Sequence, residues 1–447
     1  MKLEDARRRL PIVDELPASR SRRVLPQARG AAPKPRFAVW ELTLACDHRC
    51  RHCGPRAGQP RPNELTTEES LRLVGDLARI GVGEVSLIGG EPYLRGDFIL
   101  VIRAIREHGM TASMVTGGRG LTPARAQAAV EAGIQNVSVS IDGLAPAHDY
   151  LRDREGSFER AFAAMAALKD AGATISSNTQ INRHTWRDLP ELLERFAAIG
   201  VRAWQVQLTS PHGNAAHYPD ILLQPYELPE VFDTLAELSL RAKALGVRLI
   251  AANSVGYFGP YAQRLRSNQN TQGHFLGCHA GAWHLAIESD GNIKNCPSLG
   301  GPSNVGGSWR EHGLQALWNQ APEITYMRHR TVNELWGYCR ECYYAKVCMG
   351  GCTSISEPLM GRPGNNPMCH HRTLEMARMG LRERVEPCIE AAAGPFGQGG
   401  FRLIREYANP QLREMFGPVQ IDGPRTTREH DPWGIGQEVA INDGQNL

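Results

Sequence analysis

The chain has 447 residues, 42% hydrophobic and 22% charged, which suits a globular protein of two or three domains. Fifty basic against 47 acidic side chains leave a net charge of +3, which gives no general argument for nucleic acid as a partner. The odd total of 11 cysteines argues against a disulfide framework, and no apolar run approaches the length needed to cross a membrane.

In chain order, residues 1–36 are rich in Arg and Pro and read as a basic extension, a solvated tail or surface strap. Arg7-Arg8-Arg9 and Arg22-Arg23 have no apolar segment behind them, so the expectation is no export signal and a reducing, cytoplasmic setting. Residues 37–44 are apolar, β-branched and aromatic, and predict a strand. Cys46, Cys50 and Cys53 follow on the loop that leaves it. Three thiolates on one short loop can hold three corners of a cubane [4Fe–4S] cluster, which normally takes four cysteines, so one iron is left for an outside ligand. A zinc site completed by His48 or His52 is the competing reading of this loop.

A strand–helix alternation then runs through the next 165 or so residues. Thr66 and Glu69 form a capping-box pattern that opens a helix running to about residue 80, where Gly81 stops it. Strands are predicted over 84–88, 111–116, 136–141, 173–181 and 201–208, with helices over 97–108, 122–132, 157–171 and 186–199. Six such units predict an α/β fold built on a parallel sheet, a partial (β/α)6 TIM-like barrel with its chemistry at the C-terminal ends of the strands. The second strand ends there in the turn Gly89-Gly90-Glu91-Pro92, whose glycines would let a ligand approach the backbone and whose Glu91 offers a carboxylate.

Cys46-x3-Cys50-x2-Cys53 followed by Gly89-Gly90-Glu91-Pro92 resembles the radical S-adenosylmethionine superfamily. The resemblance implies that Cys46, Cys50 and Cys53 hold a [4Fe–4S] cluster whose free iron is chelated by the amine and carboxylate of the cofactor. It implies further that the turn formed by Gly89, Gly90 and Glu91 holds that amine. His52 stands where the family often has an aromatic against the adenine. Ser140 and Arg152 stand where it contacts the ribose and the carboxylate. The end of the sixth strand, near residues 208–210, should also close over the adenosine.

Residues 221–275 read as a bridge, with an amphipathic helix over 226–245, a short strand over 249–252 and a polar loop over 263–272. A second cysteine group follows: Cys278, Cys296, Cys339, Cys342, Cys348, Cys352 and Cys369. Seven cysteines within 92 residues exceed the needs of one cluster, and two all-thiolate zinc sites would need eight. Between the first two lies a hairpin turned at Asp290-Gly291. The spacing resembles the SPASM auxiliary-cluster domain, here a small cysteine-rich α+β iron–sulfur domain over 276–375 that follows the barrel domain over 37–220. That resemblance implies a distal cluster on Cys339, Cys342, Cys348 and Cys369. It implies a nearer one on Cys278, Cys296 and Cys352, one ligand short and either open or closed by His279 or His284. Cys388 lies outside the pattern and reads as a spare buried thiol. The extension over 376–447 is rich in Gly and Pro, with a helix expected over 401–407 and a turn at 431–434.

Together the resemblances imply three [4Fe–4S] clusters and S-adenosylmethionine, cleaved reductively to a 5′-deoxyadenosyl radical that abstracts hydrogen from a ribosomally made peptide or protein. The outcome would be a cross-link, a thioether or an epimerisation. The implied partners are that peptide or protein and an electron donor such as flavodoxin or ferredoxin, with no nucleic acid and no membrane. Sulfatase maturases carry an Asp right after the second hairpin cysteine, where this chain has Pro297. Radical tailoring of a porphyrin- or quinone-type cofactor precursor is an alternative, and a non-catalytic iron–sulfur regulator is another. Glu91, Ser140 and Arg152 weigh against the regulator, which has no need to hold the sulfonium cofactor.

Overall fold

A computed structural model describes residues 33–266 and 274–422. The basic extension over 1–32, most of the polar loop over 263–272 and the turn at 431–434 lie outside the described residues.

Seven parallel strands run in chain order: β1 (Phe37–Thr43), β2 (Glu84–Gly89), β3 (Thr111–Thr116), β4 (Asn136–Ser140), β5 (Thr174–Ile181), β6 (Ala203–Leu208) and β7 (Arg248–Ala251). Their outer face is covered by helices α1 (Thr67–Arg79), α2 (Phe98–Glu107), α3 (Pro123–Glu131), α4 (Ala145–Arg152), α5 (Ser157–Asp170), α6 (Leu189–Ile199) and α7 (Leu228–Ala244). Helix α1 begins at the capping box read from the sequence. The Thr66 hydroxyl accepts from the Glu69 N–H at 3.2 Å, and the Glu69 carboxylate accepts from the Thr66 N–H at 2.9 Å. Its buried stripe, Ser70, Leu73, Val74 and Leu77, has the spacing of one helix face. Gly81, at φ +92°, ends the run. Helix α4 was not predicted; Pro146 lies in its first turn and its last residue is Arg152.

The six expected strands pair in parallel in chain order, and the short strand expected over 249–252 joins them as β7. Strand β8 (His284–Ile287) pairs in parallel with the free edge of β1, Phe37 opposite His284 and Trp40 opposite Ile287. Eight parallel strands therefore stand in the order β8-β1-β2-β3-β4-β5-β6-β7, and β9 (Asn292–Lys294) and β10 (Val305–Ser308) continue the sheet antiparallel beyond β8. The hairpin that separates Cys278 from Cys296 is thus an extension of the barrel sheet. It turns at Gly291, φ +90°, as the Asp-Gly pair predicts.

Side chains alternate across each strand. On β1, Ala38, Trp40 and Leu42 are fully buried under the helices, whereas Phe37, Val39 and Glu41 face inward. A closed barrel packs its interior with branched aliphatic residues. Here Ser86, Ser113, Ser138, Ser176, Asn178 and Gln205 line a hollow lumen, part of a cavity of about 1300 Å³.

The helix expected over 401–407 is a strand. It is the centre of a three-stranded antiparallel sheet, β11 (Leu381–Ile389), β12 (Gly400–Tyr407) and β13 (Val419–Asp422). Cross-strand packing of Leu403 on Val385 and the ion pairs of Glu406 with Arg382 and Arg384 override the weak local helix preference. Cys388 sits at the exposed end of β11, so it is not the buried thiol expected. This sheet is tied to the cysteine-rich region by a buried fork: Arg372 meets the Glu383 carboxylate at 2.6 and 3.0 Å and Asn365 Oδ1 at 2.7 Å.

Candidate active site

The first cysteine loop leaves the C-terminal end of β1. It is folded back by an exchange with Gly58: the Cys46 N–H donates to Gly58 O at 3.1 Å, and the Gly58 N–H to Leu44 O at 3.0 Å. Cys46 Sγ accepts from the His48 N–H, and Cys53 Sγ from the Ala57 N–H, each at 3.4 Å. Burial, then the charges of Glu91 and of the other two thiols, drives the Cys46 thiol far above its ordinary range. Burial pushes Cys50 up to about 12 and raises Cys53 as well. Three thiolates this close repel one another unless a cationic core lies among them, so the donor set fits an iron–sulfur cluster. His48, on the same loop, is buried with neither ring nitrogen hydrogen-bonded.

The turn after β2 packs directly on that loop. A Cβ on Gly89 would lie 2.1 Å from Thr43 O, and one on Gly90 1.8 Å from Ala45 O. The close approach of the chain's own β1 end therefore requires glycine at both positions, and both glycines also line the cavity. Gly90→Ala should displace the Cys46 loop, with at least a tenfold loss of cofactor affinity by calorimetry, an order-of-magnitude expectation for a backbone clash at a binding turn. Glu91 N–H donates to Ala45 O at 2.7 Å. Its carboxylate, 2% exposed, accepts from the Thr116 hydroxyl and, at 2.6 Å, from the Gly117 N–H. Burial raises it to about 8 despite those donors. A buried carboxylate so held is ready for a cationic partner. The sequence reading missed Thr116 and Gly117, although a Thr-Gly-Gly at a strand's C-terminal end was the available signal.

Arg152, the last residue of α4, turns inward beside the end of β4 and is buried, not on the surface. Its fork is already occupied: Nη2 and Nε donate to Asp142 Oδ2 at 2.6 and 3.0 Å, and Nη1 lies 3.8 Å from Cys50 Sγ. Asp142 also meets His52 Nε2 at 3.1 Å, which fixes that ring by its edge. Burial would raise Asp142, but Arg152 and His52 hold it well below the usual carboxylate range. Ser140 lines the cavity beside them.

Cys278, Cys296 and Cys352 line the same cavity as the first loop. Burial and its two neighbours drive Cys296 up, and Cys352 rises to about 11 with its Sγ 3.1 Å from Ser354 Oγ. Cys339, Cys342, Cys348 and Cys369 form the third group, in which burial and mutual charge push Cys348 up strongly and Cys369 to about 12. Charge thus links Cys46 with Cys50 and Cys53, Cys296 with Cys278 and Cys352, and Cys348 with Cys339, Cys342 and Cys369. Tyr257 lies between the second and third, buried, with its hydroxyl accepting from Asn366 at 2.9 Å. His279 stacks on Trp283 at 4.2 Å and His284 starts β8; burial lowers both to about 4.

Residues 40–196 match the radical SAM superfamily model, and residues 278–343 match SPASM, an iron–sulfur cluster-binding domain. The chain is a radical SAM enzyme with a SPASM domain. The two families imply iron–sulfur clusters and S-adenosylmethionine as cofactors. The radical SAM SPASM chain is 28% identical over 359 residues to the AdoMet-dependent heme synthase of Nitratidesulfovibrio vulgaris, covering 77% of this chain and 95% of that protein. It is also 28% identical over 374 residues to the PqqA peptide cyclase of Rhizobium meliloti, covering 81% and 92%. Streptococcus suis SuiB bound to S-adenosylmethionine has the same fold, with a TM-score of 0.57 at 16% identity over 75% of this chain and 76% of that one. No helix among the described residues is long and apolar enough to cross a membrane.

Proposed function

We propose that this radical SAM enzyme matures a peptide or protein, using three [4Fe–4S] clusters. Cys46, Cys50 and Cys53 would hold the first, Cys278, Cys296 and Cys352 the nearer auxiliary one, and Cys339, Cys342, Cys348 and Cys369 the distal one. The observation that carries the reading is a single cavity faced by both the first loop and the nearer auxiliary cysteines and lined by hydroxyl and amide side chains. Such a lining offers donors and acceptors to a peptide main chain. When bound, the cofactor supplies a 5′-deoxyadenosyl radical that removes hydrogen from an unactivated carbon. Glu91, fixed by Thr116 and Gly117, holds the cofactor amine; Asp142 fixes His52 beside the adenine; Ser140 takes the ribose. The buried lumen keeps water from the radical. The electron enters from a donor of flavodoxin or ferredoxin type.

Anaerobically reconstituted protein should carry about twelve irons per chain, three clusters of four. With S-adenosylmethionine, dithionite and a deuterated short peptide encoded beside its gene, deuterium should appear in 5′-deoxyadenosine. The named heme synthase and peptide cyclase relatives keep a second reading in view, tailoring of a porphyrin-type precursor. Deuterium arriving from a porphyrin and not from the peptide would replace the first reading with the second.

A further inference from the structure

Beside the first loop, three side chains from three separate parts of the chain meet at the cavity. His212 follows β6, Lys294 ends β9, and Phe396 lies on the connection between β11 and β12, outside both matched family regions. The Phe396 ring is the common contact. Lys294 Nζ lies 4.0 Å from its centroid, and the His212 ring 5.6 Å from it.

The connection that carries Phe396 is stitched to the first loop. Phe396 N–H donates to Gly54 O at 2.8 Å, and Gly213 N–H donates to Gly397 O at 2.8 Å. Arg56 spans the junction, donating to the carbonyls of Ala392 at 2.7 Å, Gly394 at 2.9 Å and Gly213 at 2.9 Å. Phe396 itself sits at φ +56°, a left-handed conformation that an aromatic residue rarely adopts. Strain of that kind persists only where the surroundings over-determine it, and here it turns the ring into the cavity.

His212 is 4% exposed, and both ring nitrogens lack a hydrogen-bond partner; the Ser298 backbone approaches without reaching hydrogen-bond geometry. A buried imidazole with two unmet nitrogens is costly unless a ligand meets them. Burial, then the cations Lys294 and Arg56, lowers it to about 4. The charges that reach it are thus both positive. Lys294 is 2% exposed, and its one ion-pair partner among the described residues is Glu288, at 3.1 Å, which it shares with Arg61. An ammonium has three donors, so Lys294 retains capacity toward the cavity.

We propose that His212 and Lys294, walled by Phe396, form a subsite for a carboxylate of the substrate. The imidazole N–H and the ammonium donate to the carboxylate oxygens, and the ring shields the pair from water. This rests on the reading that the substrate occupies the shared cavity. On that reading the carboxylate is an Asp or Glu side chain or a C-terminus of the peptide; a porphyrin propionate has the same chemistry.

The test is calorimetry on the reconstituted full-length protein saturated with S-adenosylmethionine. The probes are acetyl-Gly-Glu-Gly-amide against its Gln counterpart, and coproporphyrin III against its tetramethyl ester. The expected result is an acid form bound about tenfold or more tighter than its neutral partner. That preference should vanish in His212→Ala and Lys294→Met and survive in Lys294→Arg, with iron content and S-adenosylmethionine affinity unchanged. Acid preference confined to the porphyrin keeps the subsite and removes the peptide reading. Equal affinity for acid and neutral forms, or no saturable binding of either acid at millimolar concentration, overturns the subsite. A His212→Ala variant that loses S-adenosylmethionine affinity while keeping the acid preference also overturns it, by assigning the imidazole to the cofactor. The wild-type comparison decides the matter even if a variant fails to load iron.

Discussion

Replacing Glu91 by Ala is expected to weaken S-adenosylmethionine binding by a factor on the order of 30 or more, because removing one partner of a buried charged hydrogen bond costs about 2–5 kcal/mol. The carboxylate's two hydrogen-bond partners, the Thr116 hydroxyl and the Gly117 N–H, are neutral, and Arg152 acts on it only as a more distant charge. The Glu91 side chain sits in a nearly dry wall of the cavity, so water cannot replace it cheaply. Iron content should stay at the wild-type value, since no cysteine is touched. Glu91→Gln, which keeps the shape but not the charge, should fall between the two. Equilibrium binding of the cofactor to the reconstituted variants checks this, and wild-type affinity in Glu91→Ala would remove the role assigned to the turn.

The second large effect is on stability. Glu383→Gln leaves the Arg372 guanidinium buried without its counter-charge, a loss expected to cost about 3–5 kcal/mol. Burial alone would raise Glu383, but Arg372 and Arg405 hold its carboxyl below the usual range. A carboxyl lowered in the folded state contributes stability above its unfolded pKa of about 4.3, and loses it as the pH falls through the folded value. The pair should therefore be fully effective at neutral pH and fail only in acid. Urea unfolding of the iron-loaded protein at pH 7 reads the effect. A double change, Glu383→Gln with Arg372→Met, should recover part of it, since the unpaired charge is then gone. A single-variant loss below about 1 kcal/mol would mean that Arg405 and Asn365 hold this corner without Glu383.

The parallel alternation was legible because each crossover carries its own punctuation: the Thr66–Glu69 cap, Gly81 after α1, the Asp-Gly turn before β9. The closeness of Cys46, Cys50 and Cys53 was legible for the same reason, since residues on one loop are close in sequence and in space. The rest was hidden where contacts are long-range. Strand β8 is four residues long and pairs with a strand some 250 residues earlier, so nothing local marks it as part of the barrel sheet. Residues 401–407 read as a helix because the charges of its neighbours on β11 were not in view. The pairing of Arg152 with Asp142, ten residues away, is not visible until α4 folds the chain back. His212, Lys294 and Phe396 come from three distant segments, and no spacing announces that they meet.

The most direct test of the account is 5′-deoxyadenosine formation under dithionite by the wild-type protein and by the variant with Cys46, Cys50 and Cys53 all changed to Ala. The account predicts steady 5′-deoxyadenosine from the wild type. From the variant it predicts none, with about one third of the iron lost and the auxiliary-cluster EPR signals retained, since two of the three sets of cysteines are intact. A variant that still forms 5′-deoxyadenosine, or a wild type that binds tightly held zinc in place of iron at these cysteines, would contradict it.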